Sequence, residues 1–115
     1  MEEKNLAPFL MNQKILQDLC LQLTKDLAVD GFEVQIPFPL SAAFEQLYQQ
    51  LFPLIQSMEK ENKAKLNLIL YRTDISEAQL HTRIKFEKGK SFAQLLTELI
   101  IKRELQKVVI RNMHR

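Results

Sequence analysis

The sequence predicts an all-α fold, a compact array of four to five amphipathic helices in one domain spanning 1–115. Three observations carry this. Apolar residues recur at three- and four-residue spacing through most of the chain, the two glycines and four prolines leave few sites for hairpin turns, and two Ser-x-x-Gln segments have capping-box spacing. Apolar residues make up 46% and charged ones 26%, the balance of a chain that folds rather than one that stays disordered. Residues 1–10 lack periodicity and are expected to form a loosely ordered arm.

The first helix is expected over 12–29. Asn12 is placed as an N-cap, Ile15, Leu16, Leu19, Cys20, Leu23 and Leu27 share one arc, and Asp30-Gly31 supplies a stop. Leu21 falls outside that arc. Phe32-Glu33-Val34-Gln35-Ile36 then alternates with period two before Pro37-Phe38-Pro39. A lone alternating stretch reads as an extended connector over 32–40, with Phe32, Val34, Ile36 and Phe38 covering the core.

Ser41 opens the second helix, whose stripe runs through Phe44, Leu47, Tyr48, Leu51, Phe52, Leu54, Ile55 and Met58. The stripe keeps its phase across Pro53, which predicts one kinked helix with the proline facing solvent. After the charged stretch 59–65, Leu66-Asn-Leu-Ile-Leu-Tyr71 is apolar nearly all round. Periodicity alone leaves it open. A helix suits its neighbours, and the alternative is an α+β fold in which strands 32–36 and 66–71 pair.

Ser76 and Gln79 form one capping box, flanked by Ile75 and Leu80 as a hydrophobic staple, so a helix should run from Ser76 through Ile84 and end before Gly89. Ser91 and Gln94 form the other and start the last helix, which should end near Ile110. The predicted core comprises Ile15, Leu19, Leu23, Leu27, Phe44, Leu47, Leu51, Ile55, Leu66, Ile69, Leu70, Leu80, Ile84, Phe92, Leu96 and Leu99.

The last helix changes face. Phe92, Leu95, Leu96, Leu99 and Ile100 lie in one arc, whereas Ile101, Leu105, Val108 and Val109 lie on roughly the opposite side. Either the helix stops near residue 106, or two layers of its own domain sandwich it, or the second stripe packs on another chain. The third reading makes Ile101, Leu105, Val108 and Val109 the candidate partner-binding residues and the expected partner a second copy or another protein.

Catalytic signatures are absent: the chain has no phosphate loop, no Gly-rich nucleotide fingerprint, no Cys pair and no His-Glu-x-x-His pattern. No enzyme activity, metal or cofactor is expected. The nearest constellation is Tyr71, Arg72, Asp74, Glu77 and His81, with Glu77 and His81 on one helical face, where intrahelical pairing is the usual outcome.

Residues 1–58 carry three Lys against seven Asp and Glu, and 59–115 carry thirteen Lys and Arg against seven. That asymmetry lets the halves attract one another. It also clusters Lys102, Arg103, Lys107, Arg111 and Arg115, which makes an anion or nucleic-acid contact the alternative function. Cys20 has no cysteine to pair with, the start of the chain is acidic, and no apolar run spans a bilayer, so a cytoplasmic protein with no membrane partner is expected.

Overall fold

Asn12 caps the first helix as its spacing predicts: its Oδ1 accepts the Ile15 N–H at 3.1 Å, satisfying a donor that the first turn leaves open. A computed structural model describes residues 7–114. Five α-helices follow one another: α1 (Gln13–Leu27), α2 (Ala43–Glu61), α3 (Lys63–Arg72), α4 (Glu77–Phe86) and α5 (Phe92–Met113). The fold is all-α, and the described residues contain no strand, so 66–71 is helical and pairs with nothing.

Of the arm expected over 1–10, residues 1–6 lie outside the described residues. Ala7–Met11 form a 3₁₀ turn in which Leu10 is buried and Phe9 packs on the core. This part of the chain is therefore packed rather than loose.

The first helix stops earlier than Asp30-Gly31 suggests. Ala28 adopts the left-handed conformation at φ 48°, its N–H closes on the Thr24 carbonyl, and Lys65 Nζ donates to the Ala28 carbonyl at 2.6 Å. A non-glycine residue takes this conformation at some cost. Early termination turns Val29 and Phe32 onto the core, where both are packed.

α2 runs through Pro53 unbroken, with Pro53 exposed and Leu47, Leu51, Ile55 and Met58 buried beneath it. Its first turn has no side-chain cap; the 3₁₀ turn Leu40–Ala42 leads into it instead. Both predicted capping boxes are complete. Ser76 Oγ accepts the Gln79 N–H and Gln79 Oε1 accepts the Ser76 N–H, and Ser91 and Gln94 repeat the exchange.

α5 is the axis of the fold, packed most extensively on α2 and α1. Its second stripe is not a surface. Ile101, Val108 and Val109 are fully shielded from solvent and Leu105 is 3% exposed. The reason is α1, which lies antiparallel to the C-terminal half of α5: Lys14 and Asp18 meet Asn112, Gln22 meets Arg111, and Asp26 meets Lys107. The helix is sandwiched by its own domain, as a helix apolar on all sides must be. The exposed second face on which a partner was expected does not exist.

Two other packing expectations are corrected. Ile84 is exposed, because α4 is short and rests chiefly on α5 through Leu80. Ile36 and Phe38 are exposed as well, because Pro37 takes the buried place between them.

Leu105→Ala is expected to destabilise the protein by about 2–5 kcal/mol, as large-to-small changes in sealed cores do. Val109→Asp should abolish cooperative thermal unfolding, because it would bury an unpaired charge. A Val109→Asp chain that melts like wild type would show that this face is open after all.

Candidate functional site

The residues singled out in the sequence end up in different places. Ile101, Leu105, Val108 and Val109 are core. Lys107 points inward to Asp26, Glu104 and Asp74, and Arg111 donates to Gln22 Oε1 at 2.9 Å. Arg103 pairs with Gln106 on its own helix, and Lys102 lies in the field of Glu87. Arg115 lies outside the described residues. Two of the five basic residues are thus spent on α1 and its neighbours, and the structure does not gather these cations into one exposed patch.

Glu77 and His81 do share a site, a groove of about 400 Å³ walled by α3 and α4. Its floor is apolar (Leu66, Leu70, Leu80) and its rim holds Glu59, Lys63 and Asn67. Tyr71 and Arg72 do not line it, and Asp74 turns away toward Lys107 at 3.6 Å. Among the described residues, no three His, Cys, Asp or Glu side chains converge as metal ligands.

A second groove was not foreseen. It holds about 690 Å³ between α1 and the connector that follows it. Gln17, Leu21, Thr24 and Lys25 form one wall, while Gly31, Phe32, Glu33, Val34 and Ile36 form the other. The connector keeps its place through side chains that act as a substitute strand. Gln50 accepts the Gln35 N–H at 2.7 Å and donates to the Gln35 carbonyl at 3.0 Å. Gln46 does the same for Phe38, accepting at 3.0 Å and donating at 2.6 Å, and Thr24 Oγ1 takes the Val34 N–H at 2.9 Å. These bonds satisfy backbone groups that would otherwise be orphaned in an irregular segment. Held so, the connector buries Val34 and leaves Ile36 52% exposed, facing the same groove as Leu21, which is 70% exposed. The Gln-rich face of α2 and the out-of-arc Leu21 were both visible in the sequence; what joined them was not.

Cys20 lies at the bottom of this groove but is 3% exposed, and burial pushes its thiol up to about 11. It is a weak nucleophile there.

The most unusual chemistry is inside the protein. Glu104, in the middle of α5, is wholly shielded from solvent and lies against Asp26 of α1, itself buried. Lys107 Nζ stands 3.0 Å from Glu104 Oε2 and 3.6 Å from both Asp26 and Asp74, and donates to the Arg72 carbonyl at 2.7 Å. Desolvation, followed by the neighbouring Asp26, pushes the Glu104 carboxyl up to about 8. Asp26 moves the other way despite its own desolvation: the neighbouring Glu104 carboxyl, the hydrogen bond from Gln22 and the Lys107 charge hold it below its ordinary value. Two buried carboxyls placed together resist ionising at once, and the wholly shielded Glu104 resists more than Asp26.

No protein-family model matches the chain, and neither a curated protein nor a solved structure matches it.

Gln50→Ala should free the middle of the connector at a cost of about 1 kcal/mol. Amide exchange at Gln35 should speed up, and Cys20 should be alkylated several-fold faster. Unchanged alkylation would mean that the connector is held by packing alone.

Proposed function

We propose that this protein acts by binding another protein rather than by catalysis, and that its docking face is the groove between α1 and the connector. One observation carries the reading: Leu21 and Ile36, both large, apolar and mostly exposed, stand on opposite walls of one groove. Covering such side chains is worth about 1.5–3 kcal/mol each when burial is complete. Phe38, 85% exposed two residues further along the connector, extends the apolar edge beyond the groove.

The rim suits a second copy of the chain. Lys25 lies on the α1 wall and Glu33 on the connector wall, so a two-fold pairing can set each against the opposite charge. This keeps self-assembly as the proposed role while moving it from the buried stripe of α5 to the opposite surface of α1. No described helix is long and apolar enough to cross a membrane. The proposed setting is the cytoplasm, whose reducing conditions suit a free, buried Cys20.

The test is sedimentation of wild type and a Leu21→Asp/Ile36→Asp double variant over a wide concentration range, beside selection of displayed peptides on each. Wild type is expected to self-associate and the variant to stay monomeric with an unchanged melting temperature, since both positions are exposed. A wild type that remains monomeric at millimolar concentration overturns self-pairing. If, in addition, no selected peptide loses its binding to the variant, the docking face is overturned too.

A further inference from the structure

The charged cluster around Lys107 joins parts of the chain that have little else in common. Lys107 and Glu104 come from α5, Asp26 from the last turn of α1, and the Arg72 carbonyl and Asp74 from the corner between α3 and α4. The corner is tightly made: Asp74 sits at φ 58°, and the Asp74 and Ile75 N–H groups close on the Tyr71 and Leu70 carbonyls. Below it Thr73 is buried with its hydroxyl on the Ile69 carbonyl at 2.7 Å, and Ile75 is buried as well. From α5, Lys107 tethers the corner: its ammonium grips the Arg72 carbonyl and Asp74 together.

We propose that the Asp26–Glu104–Lys107 cluster is a proton-operated latch: while the buried Glu104 carboxyl is protonated, Lys107 holds the α3–α4 corner against α5, and loss of that proton releases the corner.

The mechanism is a competition for one ammonium. Lys107 has three N–H donors and four oxygen-bearing neighbours, two in the core (Asp26, Glu104) and two on the corner (Arg72, Asp74). With Glu104 neutral, one buried negative charge, Asp26, faces Lys107 from the core, and the ammonium is free to serve the corner. When Glu104 ionises, two carboxylates lie side by side away from water. Such a pair must be neutralised or separated. The nearest cation is Lys107, 3.0 Å from Glu104 Oε2, so the core competes more strongly for the ammonium and its hold on the Arg72 carbonyl and Asp74 weakens. The charged groups that face the pair are Lys107 and, beyond it, Asp74; Gln22 contributes a neutral amide that donates to Asp26 at 2.8 Å. Asp74 is negative and adds to the pull on the same ammonium. Neither histidine of the described chain touches the cluster. The corner carries α3 and α4, the two walls of the groove that holds Glu77 and His81, so its release widens that groove.

The sign follows from linkage. Glu104 holds its proton more tightly in the closed form than in an open, solvated one, so raising pH favours opening across the interval from the ordinary carboxylate range to about 8, and not above it. Asp26, held low, acts only in acid and in the opposite sense.

Amide hydrogen exchange resolved by residue, corrected for the intrinsic pH dependence, tests this on the intact chain. Between pH 6 and 8 the protection of residues 70–76 should fall by up to about tenfold per pH unit, then level off, while the α1–α5 core keeps its protection. Glu104→Gln should remove the slope and leave the corner closed throughout; Glu104→Leu, which dispenses with the hydrogen bonds as well, should also be flat. Protection at 70–76 that does not change with pH overturns the proposal, as does a slope that survives in both variants. Equal loss of protection over the whole chain overturns it too, since that is global unfolding and not release of one corner.

Discussion

The structure depends on a helix with no solvent face. From Phe92 to Val109 every residue of α5 is buried or intermediate, and none is exposed. Such a helix is stabilised by apolar contact on every side. It also imposes a demand, because the same stretch carries Glu98, Lys102, Arg103, Glu104 and Lys107. Each is at least partly withdrawn from water. Glu98 takes Lys90 at 3.0 Å, Arg103 takes Gln106, and Lys107 takes the corner and the carboxyls of the core. Glu104 has the least choice. With no route to solvent, its carboxyl is pushed up to about 8, and the packing resists its ionisation.

The elements that were legible in the sequence are those whose cause is local. The Ser76 and Ser91 capping boxes need only four consecutive residues each, and Asn12 needs only the next turn. The stripes of α1 and α2 were likewise readable, since each faces one neighbour. The early stop at Ala28 was not, because it depends on Lys65 reaching back across 37 positions to a carbonyl. The connector misled for a related reason. Period two predicts Ile36 and Phe38 inside, yet Gln46 and Gln50 fix the backbone in a way that puts Pro37 there instead. Side chains of α2 replaced a partner strand, and nothing in the connector itself announces that.

The second stripe of α5 shows the same limit from the other direction. The wheel correctly separated Ile101, Leu105, Val108 and Val109 from the first arc, and it raised a sandwiched helix among its readings. It could not say what lay opposite. The uneven charge pointed to the answer: an acidic first half and a basic second half attract, and the Lys107–Asp26 pair crosses between them. Two of the cations that resembled a phosphate-binding tail, Lys107 and Arg111, instead tie α5 to α1.

That clamp also bears on where a partner could sit. With one side of α1 committed to α5, its remaining apolar residue, Leu21, has no neighbour within its own helix. The connector could have covered it, since it runs alongside and carries Ile36 and Phe38. It does not, because its backbone anchors at Gln46 and Gln50 lie on α2 and draw it away from α1, while the Thr24 bond to Val34 and the weak Cys20 thiol bond to the Gln35 carbonyl cross back. The groove is thus a consequence of which helix supplies the glutamines. An apolar pair kept apart by a connector that five side-chain hydrogen bonds hold in place is a surface that the fold holds open rather than one it failed to close.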